Sequence, residues 1–167
     1  MDRKILAAIL ILTSASPALA DFDSWSAKVE DDPFSGGQRV TVNMMTSIRS
    51  GVVITCDSSE NGLTVAAIPG FAYENKLEDF VPHMEFAIDG QRLFGQEGRT
   101  ASVGNNTAMA QATLTRDNAK LFVAAFAKAK KQIAIKDGMS DRPYLLTTRG
   151  TAKAGASLVT CMNKQAP

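Results

Sequence analysis

The sequence predicts a mainly β protein, an antiparallel β-sandwich with one or two helices, with a β-rich α+β arrangement as the alternative. Three observations carry this. Apolar residues alternate through the first half, turn residues punctuate the alternating runs, and one helical stripe stands in the second half. Helices do not alternate regularly with strands, which argues against a doubly wound parallel sheet.

The elements follow in order. Apolar residues fall on odd positions in 25–29 (Trp25, Ala27, Val29) and on even positions in 39–44 (Val40, Val42, Met44), the period of a half-buried strand. Asp31, Asp32, Pro33, Phe34, Gly36 and Gly37 form a loop between them. Val52 to Cys56 reads as a more buried strand, with Leu63 to Ile68 as its hairpin partner across Asp57 to Gly62. A second hairpin runs through Met84, Phe86 and Ile88, turns at Asp89-Gly90, and returns through Arg92, Leu93 and Phe94.

After Thr115, a candidate cap, Asp117 to Lys131 places Leu121, Phe122, Ala125, Phe126 and Ala129 at three- and four-residue spacing, which predicts a helix. Gln132 to Lys136 reads as a strand entering the Asp137-Gly138 turn, and Tyr144 to Thr148 as another. Gly150 breaks it. Thr151 to Met162 is expected to be a short helix, on the spacing of Ala152, Ala156 and Val159, with a closing strand as the alternative.

Residues 1–20 read as a secretory signal peptide. Met1 to Lys4 is a short basic start, Ile5 to Leu12 an apolar run, and Ala18-Leu19-Ala20 a small-residue cleavage site. The apolar run is far shorter than the roughly 20 residues that span a bilayer, so no permanent membrane insertion is expected. Position 21 is Asp, with no thiol to carry a lipid. The expectation is one exported β-rich domain over residues 21–167, periplasmic or secreted.

Cys56 and Cys161 are the only cysteines. An even count in an exported chain predicts a disulfide, and closing so long a loop restricts the denatured chain by up to about 4.7 kcal/mol. A redox or metal pair would place the thiols close together with further ligands nearby. Loss of Asp2, Arg3 and Lys4 with the leader takes the formal charge from +1 to zero, so no global field favours nucleic acid. Lys128, Lys130 and Lys131 read as a solvated helix end.

Signatures of catalysis are sparse. His83 is the sole histidine, read as a surface or strand-start residue. No serine occupies a G-x-S-x-G elbow, and no glycine-rich phosphate loop follows a strand. No cofactor, metal site or catalytic residue is therefore expected. A carboxylate hydrolase built on Asp31, Asp32 or Glu78 ranks last, because paired acid/base work depends on separations that sequence does not give. Trp25, the only tryptophan, reads as a core plug beside the disulfide.

Several of these features resemble, in their order along the chain, the exported bacterial proteins similar to the invasion-associated locus B family and the type VI secretion accessory protein TagO/VasI. They are Trp25, the Asp32 to Gly37 loop, the strand ending Ile54-Thr55-Cys56, the Phe86 to Gly90 strand and turn, the helix around Leu121 to Phe126, and the Gly150 to Cys161 stretch. The resemblance implies a periplasmic or surface-associated β-rich domain, with Cys56 and Cys161 as its structural pair and no catalytic centre. The further cysteines of many locus-B-like proteins are missing.

The leading functional expectation is a non-enzymatic binding or accessory protein whose partner is an envelope or host protein. Loops on a rigid scaffold often carry binding. The candidate residues are Asp31, Asp32 and Phe34, Asn105 and Asn106, and Ser140, Asp141 and Arg142. The alternative is an inhibitor of an envelope-directed hydrolase such as lysozyme, with the Gly104 to Thr107 turn as its plug.

Overall fold

A computed structural model describes residues 22–34, 36–60 and 62–165; the expected signal peptide lies outside them. The strands are β1 (Ser26–Asp31), β2 (Gln38–Met45), β3 (Gly51–Asp57), β4 (Leu63–Ile68), β5 (His83–Ile88), β6 (Gln91–Glu97), β7 (Arg99–Val103), β8 (Thr107–Leu114), β9 (Ile133–Lys136) and β10 (Tyr144–Leu146). The helices are α1 (Arg116–Lys128) and α2 (Thr151–Lys164), with a short 3-10 turn at Asn75–Leu77. Two antiparallel sheets result, ordered β1-β2-β3-β4-β8-β7 and β10-β9-β5-β6, in a sandwich-like arrangement. Among the described residues no helix is long and apolar enough to cross a membrane.

Alternation decides which face of each strand is buried. Val40, Val42 and Met44 of β2, Val52, Ile54 and Cys56 of β3, and Leu63, Val65 and Ala67 of β4 all lie in the core. Met84, Phe86, Ile88, Ile133, Ile135 and Leu146 close it from the second sheet. α2 packs on β1, β2 and β3, whereas α1 packs on β5, β6 and β8. An aromatic chain crosses this core: Trp25 stands edge-on to Phe126 at 4.9 Å, Phe126 lies 5.8 Å from Phe122, and Phe122 stands 5.7 Å from Phe86. Such pairs add to the stabilisation that their buried area supplies. Trp25 is thus a core plug whose described ring partner is Phe126.

Cys56 and Cys161 are joined, their Cα atoms 6.3 Å apart, so the bond ties α2 to the middle of the larger sheet. Beside it Gln165 donates to the carbonyls of Asp57 at 2.9 Å and Gly62 at 2.8 Å, fastening the end of α2 to the β3–β4 connection. Both expected hairpins form, and Asp89-Gly90 adopts the positive φ angles, 54° and 84°, that its tight turn requires.

Four expectations need correction. β1 is not half-buried; all six of its residues are exposed because it lies at a sheet edge. α1 ends at Lys128, since Asp89 captures the backbone N–H groups of Lys130, Lys131 and Gln132. Its buried stripe is Ala119, Phe122, Val123 and Phe126, while Leu121 is 47% exposed. β7 and β8 were not expected at all. Ala108, Ala110, Ala112 and Leu114 do alternate, but alanine is a poor strand former and masks the period.

Candidate functional site

Strand register sorts the candidate loops to opposite ends of the larger sheet. Asp31 pairs with Gln38, Arg39 with Asp57 and Leu63 with Leu114 at one end; Met45 pairs with Gly51 and Val103 with Thr107 at the other. Asp31, Asp32 and Phe34 therefore stand apart from Asn105 and Asn106.

At the first end the β1–β2 hairpin is tightly closed. Asp32 and Gly37 bond through their backbones at 2.9 Å, and the Asp32 carboxylate accepts the Phe34 N–H at 2.9 Å. Phe34 projects from it, 97% exposed. A shallow depression of about 390 Å³ gathers Glu30, Asp31, Asp32, Arg39 and Asp57. These carboxylates are engaged: Glu30 pairs with Lys28, Asp31 accepts from Gln38, and Asp57 accepts from Arg39 and Ser59. Hydrogen bonds from Ser59, and then Arg39, hold the Asp57 carboxyl below the usual carboxylate range. That is the wrong direction for a general acid.

At the second end four connections meet. Asn106 is tied sideways, its amide donating to the Tyr73 carbonyl at 3.2 Å and its own carbonyl accepting the Tyr73 N–H at 2.9 Å. Phe71 accepts the Ala108 N–H at 2.9 Å. The Asn105-Asn106 turn is consequently stapled to residues 71–73 along its side. Ser140 also turns inward: its hydroxyl donates to the carboxylate of Asp137, which is fully buried, leaving Asp141 and Arg142 at the surface. Gly138 is required here, because a Cβ would lie 2.8 Å from the backbone of His83.

The β2–β3 connection was missed by sequence reasoning. Thr46 and Ser47 N–H groups donate to the Ser50 carbonyl at 2.9 and 3.2 Å, the Ser50 N–H donates to the Ser47 hydroxyl at 3.0 Å, and the Ser50 hydroxyl lies 2.8 and 2.7 Å from those of Thr46 and Ser47. This self-bonded turn holds Ile48 at its tip, 88% exposed. A depression of about 620 Å³ lies beside it, lined by Met45, Ile48, Arg49, Ile68, Val103 and Asn105. A neighbouring one of about 250 Å³ is lined by Ser50, Phe71, Arg142 and Tyr144. Among the described residues neither Arg49 nor Arg142 enters an ion pair. A lone isoleucine inside Thr46-Ser47-Ile48-Arg49-Ser50 is the signal that could have found this turn.

Comparison of the chain with protein-family models, with curated proteins and with solved structures finds no match. The arrangement of its own side chains is what speaks to function.

The other charge cluster lies on the outer face of the smaller sheet. Glu85 pairs with Arg92 at 2.8 Å and Lys136 at 3.4 Å. The hydrogen bond from Lys136, then the charges of Arg92, Lys136 and His83, hold the Glu85 carboxyl below its usual range. Both cations are spent on Glu85, so the cluster offers no open anion site. His83 is exposed at the start of β5, as expected. Among the described residues no group of His, Cys, Asp and Glu could hold a metal ion.

Proposed function

We propose that the protein is a non-catalytic binding or accessory protein of an oxidising compartment outside the cytoplasm, and that it engages a partner protein through residues 46–50, 69–73, 104–106 and 138–143. The observation that carries this reading is Ile48: a large apolar side chain held almost fully in water by a turn whose own hydrogen bonds have already set its shape. A preorganised anchor loses little conformational entropy when it docks, and a few anchors that fill pockets on the partner carry most of the energy of an interface. Phe71, 41% exposed, lies on the adjoining loop, and Arg49 and Arg142 add positive charge. The partner that fits is a protein with an apolar cleft rimmed by carboxylates, in the envelope or on a host cell. The disulfide supports a location outside the cytoplasm, because such bonds persist in oxidising compartments. An accessory role of the kind implied by the locus-B-like and TagO/VasI resemblance is part of the same proposal.

The test is capture from an envelope extract on the immobilised protein. A stoichiometric partner is expected, and Ile48→Asp and Phe71→Ser should each release it with no change in melting temperature. A partner retained equally by both folded variants would refute the assignment of this surface.

A further inference from the structure

β1 leaves one edge of the larger sheet open, and its backbone directions can be read from its neighbours. The Asp32 N–H donates to Gly37 across the hairpin, so by the alternation of an antiparallel ladder Glu30 and Lys28 also direct their backbone groups toward β2. Ala27, Val29 and Asp31 direct theirs away from it. Trp25 belongs to this outward set and shows the direction: its N–H donates to the Arg149 carbonyl at 2.8 Å, and its indole N–H donates to the Thr147 carbonyl at 2.8 Å. The segment 147–149 therefore covers the edge at Trp25, and the open stretch beyond it is centred on Val29.

The geometry points to a second copy of this chain on that edge, β1 against β1 in antiparallel register with the twofold axis at Val29. In this register Val29 faces Val29, Lys28 faces Glu30 twice, and Ala27 faces Asp31 twice. The outward N–H and C=O groups of Ala27, Val29 and Asp31 then form about six backbone hydrogen bonds. Lys28 lies opposite Thr41, and Glu30 opposite Arg39, on the outward face of the sheet, where opposite charges attract across strands. Moving the axis by one residue to Lys28 or to Glu30 sets like charges against each other. Only the Val29-centred register is self-complementary.

The surface chemistry agrees with this occupant. Lys28 and Glu30 already approach to 2.7 Å within one chain, yet their side chains are 72% and 51% exposed, so they can re-pair across the axis. Val29, 47% exposed, is covered by its symmetry mate. Edge lysines ordinarily discourage strand addition; a glutamate two residues away turns that barrier into a selector for an edge with the reversed pattern, which this chain itself supplies.

Sedimentation equilibrium of the purified protein over a range of concentrations tests the pairing, and the mass should rise toward that of a dimer. Val29→Pro should abolish the rise, because proline removes an outward N–H while the β1–β2 bonds lie on the other residues. Lys28→Glu and Glu30→Lys should each weaken self-association by roughly tenfold or more. An equimolar mixture of those two variants should restore it, since each repulsive contact becomes attractive between them. Circular dichroism and the melting temperature confirm that each variant is folded. A wild-type mass that stays monomeric at all concentrations, a folded Val29→Pro protein that still dimerises, or a mixture no stronger than its components would overturn the proposal.

Discussion

The fully buried Asp137 carboxylate accepts the Tyr144 hydroxyl at 3.2 Å, and it also accepts the Met139 N–H, the Ser140 N–H and the Ser140 hydroxyl, each at 2.8 Å. Burial, and next the negative charge of Asp137, push the Tyr144 phenol above its ordinary value. A folded state that holds a phenol neutral loses stability once the unfolded chain can ionise it. The stabilisation is complete below pH about 10 and declines as the pH rises beyond that. Thermal melts across this range should show the decline, and Tyr144→Phe should flatten it while costing about 1 kcal/mol at neutral pH.

Asp89 supports the acid side. Hydrogen bonds from the backbone N–H groups of Lys131, Gln132 and Lys130 hold its carboxyl below the usual carboxylate value of 3.8. A lowered value means stability present above that pH and lost as the pH falls through the folded-state value. Asp89→Ala should lower the melting temperature at neutral pH, because it leaves those donors without their acceptor. Asp89→Asn should show a shallower loss than wild type on acidification below pH about 4. Equal acid profiles for wild type and Asp89→Asn would contradict this.

The Cys56–Cys161 bond closes a loop of 105 residues. The double variant Cys56→Ala with Cys161→Ala should lose up to about 4.7 kcal/mol of unfolding free energy, most of it from a less restricted denatured chain. Urea unfolding with and without reductant measures it. The wild type should move toward the variant when reduced, and the variant should not respond.

Gly155 is where the helices touch: a Cβ there would lie 2.6 Å from the Ala127 side chain. Gly155→Ala should destabilise the protein by about 1–3 kcal/mol through overpacking, despite alanine's better helix propensity. Adding Ala127→Gly should recover part of the loss. A stabilised Gly155→Ala protein would show that the helices separate freely.

Much of this architecture was legible residue by residue. Thr115 caps α1 by accepting the Asn118 N–H, Asp89-Gly90 makes its turn, and β2 to β4 alternate as their residues predict, because each signal acts within a few positions of the chain. The α1 terminus was not legible, since Asp89, some forty residues earlier, sets it. β8 was missed because its buried positions are mostly alanines, chosen for space and not for strand propensity. Of the candidate surface, Asn105 and Arg142 stand on the end that carries Ile48 and Phe71, whereas Asp31, Asp32 and the projecting Phe34 stand on the opposite end, Asn106 is stapled to Tyr73, and Ser140 points inward to Asp137. Ile48 escaped notice because exposure is a property of surroundings.

Local order along the chain was enough to predict the β-rich class, the first helix and the pairing of its two cysteines, and it favoured a helix over a closing strand for the last segment, which the fold shows to be α2. Those outcomes rest on periodicity, turn chemistry and elimination, all of which are one-dimensional. The antiparallel join of β4 to β8, the open β1 edge and the meeting of four connections around Ile48 came from the folded chain alone. They depend on which distant faces exclude water from each other, and that choice is made by the packing of the whole core.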